Sequence, residues 1–370
     1  MVFRDLQQIL ETWAPKELAW EQDNVGAQIG ASGKNIRSIL VALDVTDEVV
    51  AEAKRKRCDV IVTHHPLIFR PLRSIIADRR VERIATDLIR NGIALYAAHT
   101  NLDYTPKGVS ETLAGQLELG DVTVLQPSAR LFKKVAVFVP VSDVERVAAA
   151  MADAGAGAIG NYDSCSFRSA GTGTFRAKAN ARPYIGRTGV LERTQEVRLE
   201  SLVPVWALDK VVGAMKRAHP YEEVAFDIAD LSNTSAHHGA GAVGTLAKAV
   251  TLEKFLRAVR KQLKAPALRY APAKKKRIGR VAVCGGSGSD LLEAAINAGA
   301  DAFVTSDVRF HTFQEADGRI ALIDAGHYET ELPVVRAIVA YLKNELKNRK
   351  LHVTVAASAA SRNAVHYYFS

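Results

Sequence analysis

The sequence predicts an α/β protein, in which a split three-layer α/β domain with a mostly parallel sheet is interrupted by an inserted domain. Near both ends of the chain, short apolar segments alternate with amphipathic helical segments, which is typical of parallel sheets covered by helices. The middle of the chain has a different order of predicted strands and helices. With 370 residues, the chain is also longer than one typical domain. We therefore expect an α/β domain built from residues 1–127 and 233–370, with the inserted domain at 128–232.

The first segment contains four predicted helices and three predicted strands. Apolar residues at helical spacing from Phe3 to Trp13 predict the first helix, and Pro15 ends it. Thr46 is a suitable N-cap for the second helix. Short, wholly apolar runs predict buried parallel strands. The predicted helices are 3–13, 47–54, 78–91 and 108–117, and the predicted strands are 38–44, 59–63 and 93–98.

The inserted segment has the predicted order β-α-β-β-α-β, which indicates a ferredoxin-like α+β unit of about 100 residues. Residues 232–235, Ser-Asn-Thr-Ser, are expected to form a linker back to the first domain. The predicted strands are 131–139, part of the glycine-rich stretch 155–187, 196–204 and 224–230, and the predicted helices are 143–154 and 208–218.

The last segment resumes the alternation of strands and helices. A strand at 280–284 runs into the glycine-rich turn 285–288, and a helix follows. Pro333 fits the first turn of the final helix, since proline is tolerated there. The other predicted elements are a helix at 252–263, strands at 302–305 and 320–324, and the final helix to about residue 347.

The composition is that of an ordinary globular protein, with 48% hydrophobic and 24% charged residues. No run approaches the roughly 18 apolar residues of a membrane helix, and no secretory signal pattern is visible at the N-terminus. The cysteines Cys58, Cys165 and Cys284 are far apart in sequence, so neither a cysteine zinc site nor a disulfide framework is expected. These features favour a cytoplasmic location without membrane partners.

The chain carries a net charge of +9, which suits either an anionic substrate or nucleic acid. Much of this charge lies in two local runs, residues 274–277 and 343–350. Solvated surface explains such runs more simply than a nucleic-acid interface does. No basic sheet with interleaved aromatic residues indicates RNA binding. The sequence therefore favours a small anionic substrate and leaves nucleic acid open as a less favoured partner.

Two adjacent histidines, His64 and His65, follow the predicted strand 59–63. Pro66 forces its predecessor into an extended or turn conformation, so both imidazoles can enter the crevice at the carboxyl end of the sheet. Imidazole is the commonest metal ligand in proteins near neutral pH. The pair predicts two metal ions, one for each ring. The simpler alternative is a hydrogen-bonded polar pair that closes the strand.

Further metal-ligand candidates follow other predicted strands: Asp103, His327 and Glu331. Together with the two histidines they supply three nitrogens and two carboxylates, a set suited to Zn, Mn, Fe or Ni. One carboxylate can bridge two cations, and two such cations can clamp and activate one water. Each residue also has a structural alternative, because Asp103 could form a turn and Glu331 could favour a helix start.

Two more histidines, His99 and His311, also lie at predicted strand ends. We expect them to support the ligands or to transfer protons, since ligating groups usually need hydrogen-bonded partners. The glycine-rich turn 285–288 suits either the binding of a phosphate by backbone N–H groups or a tight turn that requires glycine. It lacks the lysine of a P-loop and the full GxGxxG spacing.

Taken together, these motifs resemble the NIF-three-like family, a dinuclear metal centre family also named GTP cyclohydrolase 1 type 2 homologues. Ser306 departs from the family pattern, in which glycine is expected. The inserted segment resembles the PII/CutA-like domain that the longer members carry. The motifs are residues 23–26, 63–66, 99–103, 285–288 and 324–327 with Glu331, and, in the insert, 157–162 and 219–223.

The resemblance implies that five residues ligate two divalent metal ions inside a toroidal homohexamer. The leading hypothesis is a metal-dependent hydrolase, in which a metal-bound hydroxide attacks a small phosphorylated or nucleotide-like substrate. His99 or Glu331 would relay protons. The competing hypothesis is a non-enzymatic metal-binding or assembly protein whose PII-like insert binds effectors. The implied ligands are His64, His65, Asp103, His327 and Glu331.

Overall fold

The computed structural model describes residues 1–368, and the chain divides into two compact units. The split unit consists of Met1–Pro127 and the segment that begins at Ala236, and the inserted unit is Ser128–Ser235. Among residues 1–368, no helix is both long enough and apolar enough to cross a membrane.

Strands occur in both units and are numbered here in chain order. They are β1 (Gly26–Ile29), β2 (Ser38–Ala42), β3 (Val60–Thr63), β4 (Ala94–Ala97), β5 (Gly120–Ala129), β6 (Phe132–Pro140), β7 (Phe167–Arg176), β8 (Leu191–Pro204), β9 (Phe226–Asp230), β10 (Thr234–Thr251), β11 (Arg269–Ala271), β12 (Arg277–Ser287), β13 (Ala302–Ser306), β14 (Ala321–Asp324) and β15 (Thr354–Ala357).

The helices are numbered in the same way. They are α1 (Phe3–Trp13), α2 (Asp47–Arg55), α3 (Arg80–Arg90), α4 (Thr100–Asp103), α5 (Val109–Gln116), α6 (Val144–Asp153), α7 (Leu208–Ala218), α8 (Leu252–Leu263), α9 (Leu292–Asn297), α10 (Phe310–Ala316), α11 (His327–Glu331) and α12 (Pro333–Asn348).

The split unit contains two mixed sheets, where the sequence predicts one mostly parallel sheet. The first has the order β1-β4-β3-β2-β15, with β1 antiparallel to β4 and the other neighbours parallel. The second has the order β11-β14-β13-β12-β10-β5, and only β12, β13 and β14 run parallel to one another among its pairs with described orientation. The prediction of a single sheet is therefore wrong, because the sequence indicates where strands lie but not which strands pair with one another.

Each sheet of the split unit is covered by helices on both faces. In β2, Ile39 and Val41 pack with α1 and α12, whereas Leu40 and Ala42 pack with α2 and α3. This division follows from the alternation of side chains along a strand. In β12 the same alternation directs side chains toward α5 and α8 on one face and toward α9 and α10 on the other. The expected three-layer arrangement thus occurs twice.

The inserted unit has the element order β6-α6-β7-β8-α7-β9, which is the predicted β-α-β-β-α-β order. Its single sheet has the strand order β7-β8-β6-β9, with every neighbouring pair antiparallel. Val137 and Val139 of β6 and Leu199 and Val203 of β8 face α6 and α7. Side chains at the intervening positions therefore lie on the opposite face of the sheet.

The junctions of the insert contain strand residues that the sequence does not predict. β5 continues to Ala129, beyond the expected boundary after residue 127, and β10 begins at Thr234. Residues 234–235 are therefore strand residues, and the predicted linker 232–235 is wrong in its second half. The sequence of β10 is rich in alanine and glycine, so it shows little of the hydrophobic alternation that indicates a strand. Pairing with β12 selects its extended conformation.

Candidate metal centre

The two adjacent histidines follow β3 directly, as the sequence predicts. The backbone N–H of His65 donates to the Leu43 carbonyl at 2.9 Å, and the Thr63 hydroxyl donates to the His65 carbonyl at 2.8 Å. These bonds fix the chain at the carboxyl end of the strand, just before Pro66. The two imidazole rings lie 5.0 Å apart between centroids. Both side chains therefore enter the same region.

His64 is fully buried, and one of its ring nitrogens has no partner. Its Nδ1 donates to the Ala98 carbonyl at 2.8 Å, while its Nε2 lies 3.8 Å from Oδ1 of Asp103. Neither that Nε2 nor that Oδ1 has a hydrogen-bond partner. Burial lowers the pKa of His64, whereas burial and the charge of Glu331 raise the pKa of Asp103 well above its usual value. A cation between these two atoms would relieve both desolvation penalties.

His65 lies between two carboxylates. Its Nδ1 is 2.8 Å from Oδ1 of Asp44, and its Nε2 is 2.9 Å from Oε2 of Glu331. Burial lowers the pKa of His65, but the hydrogen bonds and charges of both carboxylates outweigh burial and raise it to about 10.

His327 and Glu331 occupy one face of α11, four residues apart. The Nδ1 of His327 lies 2.6 Å from Oδ2 of Asp307, and its Nε2 lies 3.1 Å from Oε2 of Glu331. The same Nε2 is 3.3 Å from Nε2 of His65. Burial lowers the pKa of His327, but Glu331 and Asp307 raise it to about 9. Although burial alone would raise the pKa of Glu331, the surrounding histidines lower it well below its usual value.

His99 joins the cluster from the end of β4. Its ring lies 5.3 Å from that of His64 and 5.6 Å from that of His65, between centroids. Its Nδ1 lies 2.9 Å from both carboxylate oxygens of Asp23, and the backbone N–H of Thr100 also donates to Asp23. Burial raises the pKa of Asp23, but the bonds from His99 and Thr100 outweigh burial and lower it. The sequence predicts a supporting role for His99, yet its geometry also suits a ligand.

The cluster contains two groups of residues whose donor atoms lie within 4.8 Å of one another. Every histidine in them has its Nδ1 directed at an oxygen atom, which leaves Nε2 directed into the cluster. Hydrogen bonding of the second ring nitrogen to an oxygen is the usual arrangement of histidines that ligate metals. The groups are His64, His65 and His99, and His65, His327 and Glu331.

Glu331 connects the two parts of the cluster. Its Oε1 lies 3.6 Å from Nε2 of His64, and its Oε2 lies near Nε2 of both His65 and His327. The Glu331 side chain is buried, and its Oε2 lacks a properly oriented hydrogen-bond donor. Imidazole nitrogens and carboxylate oxygens that converge in this way form a donor set for divalent transition metals. The residues present therefore fit metal ions.

The glycine-rich turn lies against Glu331, one of the candidate ligands. A Cβ atom at Gly286, whose φ is +64°, would overlap Oε1 of Glu331. The backbone N–H of Gly286 donates to the Thr330 hydroxyl, and that of Gly288 donates to the Thr305 hydroxyl. These N–H groups are therefore already engaged, which favours the tight-turn interpretation over a phosphate cradle.

The structure brings the five predicted ligands and His99 together, whereas His311 lies elsewhere. His311 is an exposed residue of α10 and contacts Gln314 at 3.0 Å. Sequence reasoning did not identify the three carboxylates that hold the Nδ1 atoms. Two of them follow the ends of apolar strands, and Asp23 lies in the motif 23–26, so these positions are the sequence signals that could have identified them. They are Asp23, Asp44 and Asp307.

Comparison with known proteins covers nearly the whole chain. A family model described as Duf34/NIF3 (NGG1p interacting factor 3) matches residues 1–364. Two relatives named GTP cyclohydrolase 1 type 2 homolog, from Halalkalibacterium halodurans and Bacillus subtilis, are 41% and 39% identical. The alignments cover 95% and 96% of both chains, respectively. A solved structure described as a Bacillus cereus protein related to NIF3 has a TM-score of 0.85 and 40% identity, covering 100% of this chain and 99% of that chain.

Proposed function

The chain belongs to the Duf34/NIF3 family, and from that premise we propose that it is a metal-dependent hydrolase with two divalent metal ions per chain. One ion would be held by His64, Asp103 and Oε1 of Glu331. The other would be held by His65, His327 and Oε2 of Glu331. The ion would be Zn, Mn, Fe or Ni, the metals that suit this mixture of nitrogen and oxygen donors.

The observation that carries this proposal is the orientation of the histidines. Their Nδ1 atoms bind oxygen acceptors, and their Nε2 atoms converge around Glu331. A cluster that served stability alone would leave no polar atom at its centre without a hydrogen-bond partner. Here Nε2 of His64 and Oδ1 of Asp103 both lack one.

Divalent ions in such a site lower the pKa of water and polarise a phosphoryl or carbonyl group. Among the protein groups, His99 is the better candidate for proton transfer. Asp23 holds its Nδ1 and thereby directs its Nε2 toward the cluster. Glu331, the other candidate, has both oxygens beside histidines and is better suited to ligation.

We propose a small phosphorylated or nucleotide-like substrate. The support is chemical, since paired metal ions favour displacement at phosphorus. The name of the relatives contains GTP, which agrees with a nucleotide-like substrate. We also propose that the chain assembles as a toroidal homohexamer and that the insert is PII/CutA-like. Sedimentation or light scattering of the purified chain tests the assembly.

The test of function compares His327→Ala with His311→Ala. The two variants make the same change, but only the first removes a donor from the cluster. Each would be loaded with Mn or Zn and screened against phosphate esters and purine nucleotides. We expect turnover in the native chain and in His311→Ala, and none in His327→Ala. Turnover that survives in His327→Ala would contradict the proposal. Full metal binding without any turnover would favour the non-enzymatic alternative, a metal-binding or regulatory protein.

A further inference from the structure

The inserted unit contains a cavity of about 750 Å³. This volume lies within the range of small-molecule sites. Every residue that lines the cavity belongs to Ser128–Ser235. Phe138, Glu196 and Arg198 lie on the face of the sheet opposite to α6 and α7, and they form part of the lining. Residues 177–184, which follow β7, supply another part.

Four aromatic side chains line this cavity: Phe138, Phe175, Tyr184 and Tyr221. The ring of Tyr221 lies 6.1 Å from that of Phe175 and 6.2 Å from that of Tyr184, between centroids. The interplanar angles are 57° and 55°. Aromatic rings in a cavity of this size offer apolar faces and edges to a planar ligand.

A buried carboxylate lies among these rings. Glu196 is only 8% exposed, and its Oε1 accepts a hydrogen bond from the Tyr221 hydroxyl at 2.9 Å. A Cβ atom at position 173 would overlap the Glu196 carboxylate, so Gly173 leaves the space that this carboxylate occupies. The Tyr221 hydroxyl is the one described donor to this carboxylate, so the carboxylate can accept further hydrogen bonds. A ligand with N–H groups would supply them.

Basic residues complete the lining. Arg176, Lys178 and Arg198 all line the cavity, and Arg198 also pairs with Glu200 at 2.8 Å. Such residues favour a ligand that carries an anionic group. The cavity therefore combines aromatic surfaces, a buried acceptor and cationic side chains.

We propose that this cavity binds a guanine-type ring that carries an anionic substituent. The adjacent ring N–H and exocyclic amino group of guanine are parallel donors that match the two oxygens of the Glu196 carboxylate. The aromatic side chains would contact the ring, and the basic residues would contact the anionic group. Adenine places an acceptor nitrogen beside its amino group, which the carboxylate repels. The site does not depend on the proposed hydrolase activity.

The first experiment measures binding of GMP, AMP and inorganic phosphate to the metal-loaded full-length chain by calorimetry. We expect GMP to bind at least about tenfold more tightly than AMP, because a site built to pair with donors rejects a ring that lacks them. Phosphate alone should bind more weakly than GMP. Equal affinity for GMP and AMP, or no GMP binding at millimolar concentration, would overturn the proposal.

The second experiment locates the site with matched variants. Glu196→Gln should weaken GMP binding at least about tenfold, because the amide loses one acceptor. Glu145→Gln makes the same change at an exposed position of α6 and should leave binding unchanged. Gly171 lines the cavity, and a Cβ atom there would meet no atom within 4 Å, so a larger side chain fits without a clash. Gly171→Leu should therefore fill part of the cavity and block binding.

Metal content and circular dichroism would verify that each variant is folded. His327→Ala should retain GMP binding, because this residue lies outside the cavity lining. GMP binding that is lost in His327→Ala but retained in Glu196→Gln and Gly171→Leu would assign the nucleotide to the metal centre and refute the cavity site.

Discussion

Both units bury a histidine, and the two residues differ in how the second ring nitrogen is used. In the inserted unit, His219 donates from Nε2 to the Phe138 carbonyl at 2.9 Å and accepts at Nδ1 from the Tyr221 N–H at 3.1 Å. In the split unit, His64 donates from Nδ1 to the Ala98 carbonyl and has an Nε2 without a partner. A ring whose two nitrogens both make hydrogen bonds indicates a structural role. A buried ring nitrogen without a hydrogen-bond partner indicates a position where a metal ion can bind.

Two buried glutamates of the split unit show the same contrast. Glu52 receives hydrogen bonds from Lys56, Ser358 and the backbone N–H groups of Ala359 and Ala360. These donors join α2 to the segment that follows β15. Glu331, by comparison, is surrounded by ring nitrogens rather than by a full set of donors. Burial alone therefore does not distinguish a structural carboxylate from a ligand.

The largest expected effect is the loss of metal when a residue with a buried polar atom that lacks a hydrogen-bond partner is replaced. His64→Ala, like Asp103→Ala, should lose at least one metal equivalent per chain while the chain remains folded. His219→Ala is the matched control and should retain all of the metal. Elemental analysis together with circular dichroism measures both properties. Unchanged metal content in His64→Ala and Asp103→Ala would refute the assignment and remove the distinction between the two histidines.

A large effect is also expected of pH on metal affinity. In the metal-free site, Asp44 and Glu331 raise the pKa of His65 to about 10, and Glu331 and Asp307 raise that of His327 to about 9. Below these values both rings hold protons that a metal must displace. Affinity should therefore rise with pH by about tenfold per unit for each displaced proton. Competition with a chelator between pH 6 and pH 8 measures the slope, which His311→Ala should not alter. A flat profile would contradict the proposed ligand set.

A moderate effect on stability is expected from Glu52→Gln. Burial raises the pKa of Glu52, but the donors from Lys56, Ser358 and the backbone outweigh it and lower the pKa to about 2. The carboxylate therefore contributes stability that is present above its unfolded pKa and is lost as the pH falls toward about 2. The substitution should reduce the free energy of unfolding at pH 7 by about 1–3 kcal/mol. Urea unfolding at pH 7 and pH 3 measures this, and the difference between native chain and variant should shrink at the lower pH.

Metal content should be unaffected by the absence of the insert. Removing residues 130–233 and joining the ends with a short Gly/Ser bridge retains all of β5 and β10, which are neighbours in the second sheet. Loop closure adds little entropy cost at this length. The deletion variant should bind as much metal as the native chain, since all proposed ligands lie in the split unit. A soluble, folded variant without metal would show that the insert contributes to the centre.

The convergence of the candidate ligands could be predicted because each follows an apolar strand, and strand ends are visible in sequence. The partners of these ligands could not be predicted in the same way. His65 meets Asp44, 21 residues away, and His99 meets Asp23, 76 residues away. Such pairs depend on the order of the strands in the sheet, and the hydrophobic periodicity of the sequence does not reveal that order.

The second sheet shows the same limit at the level of the fold. β12, β13 and β14 have buried apolar runs and were predicted, although β12 is longer than expected. β10 and β5 consist largely of small or polar residues, and their conformation depends on their neighbours. The cavity of the insert could not be predicted either, because it requires side chains from three strands and two loops to meet.

One strand has a consequence for synthesis on the ribosome. β15 (Thr354–Ala357) pairs in parallel with β2 (Ser38–Ala42), so the first sheet gains this edge strand more than 300 residues after β2 is made. His327 and Glu331 also emerge more than 200 residues after the ligands at the N-terminal end. Since translation proceeds at about 5–20 residues per second, at least about ten seconds separate the synthesis of the first candidate ligands from that of His327 and Glu331. The inserted unit can fold during this interval, and the candidate metal centre is complete only after translation of α11.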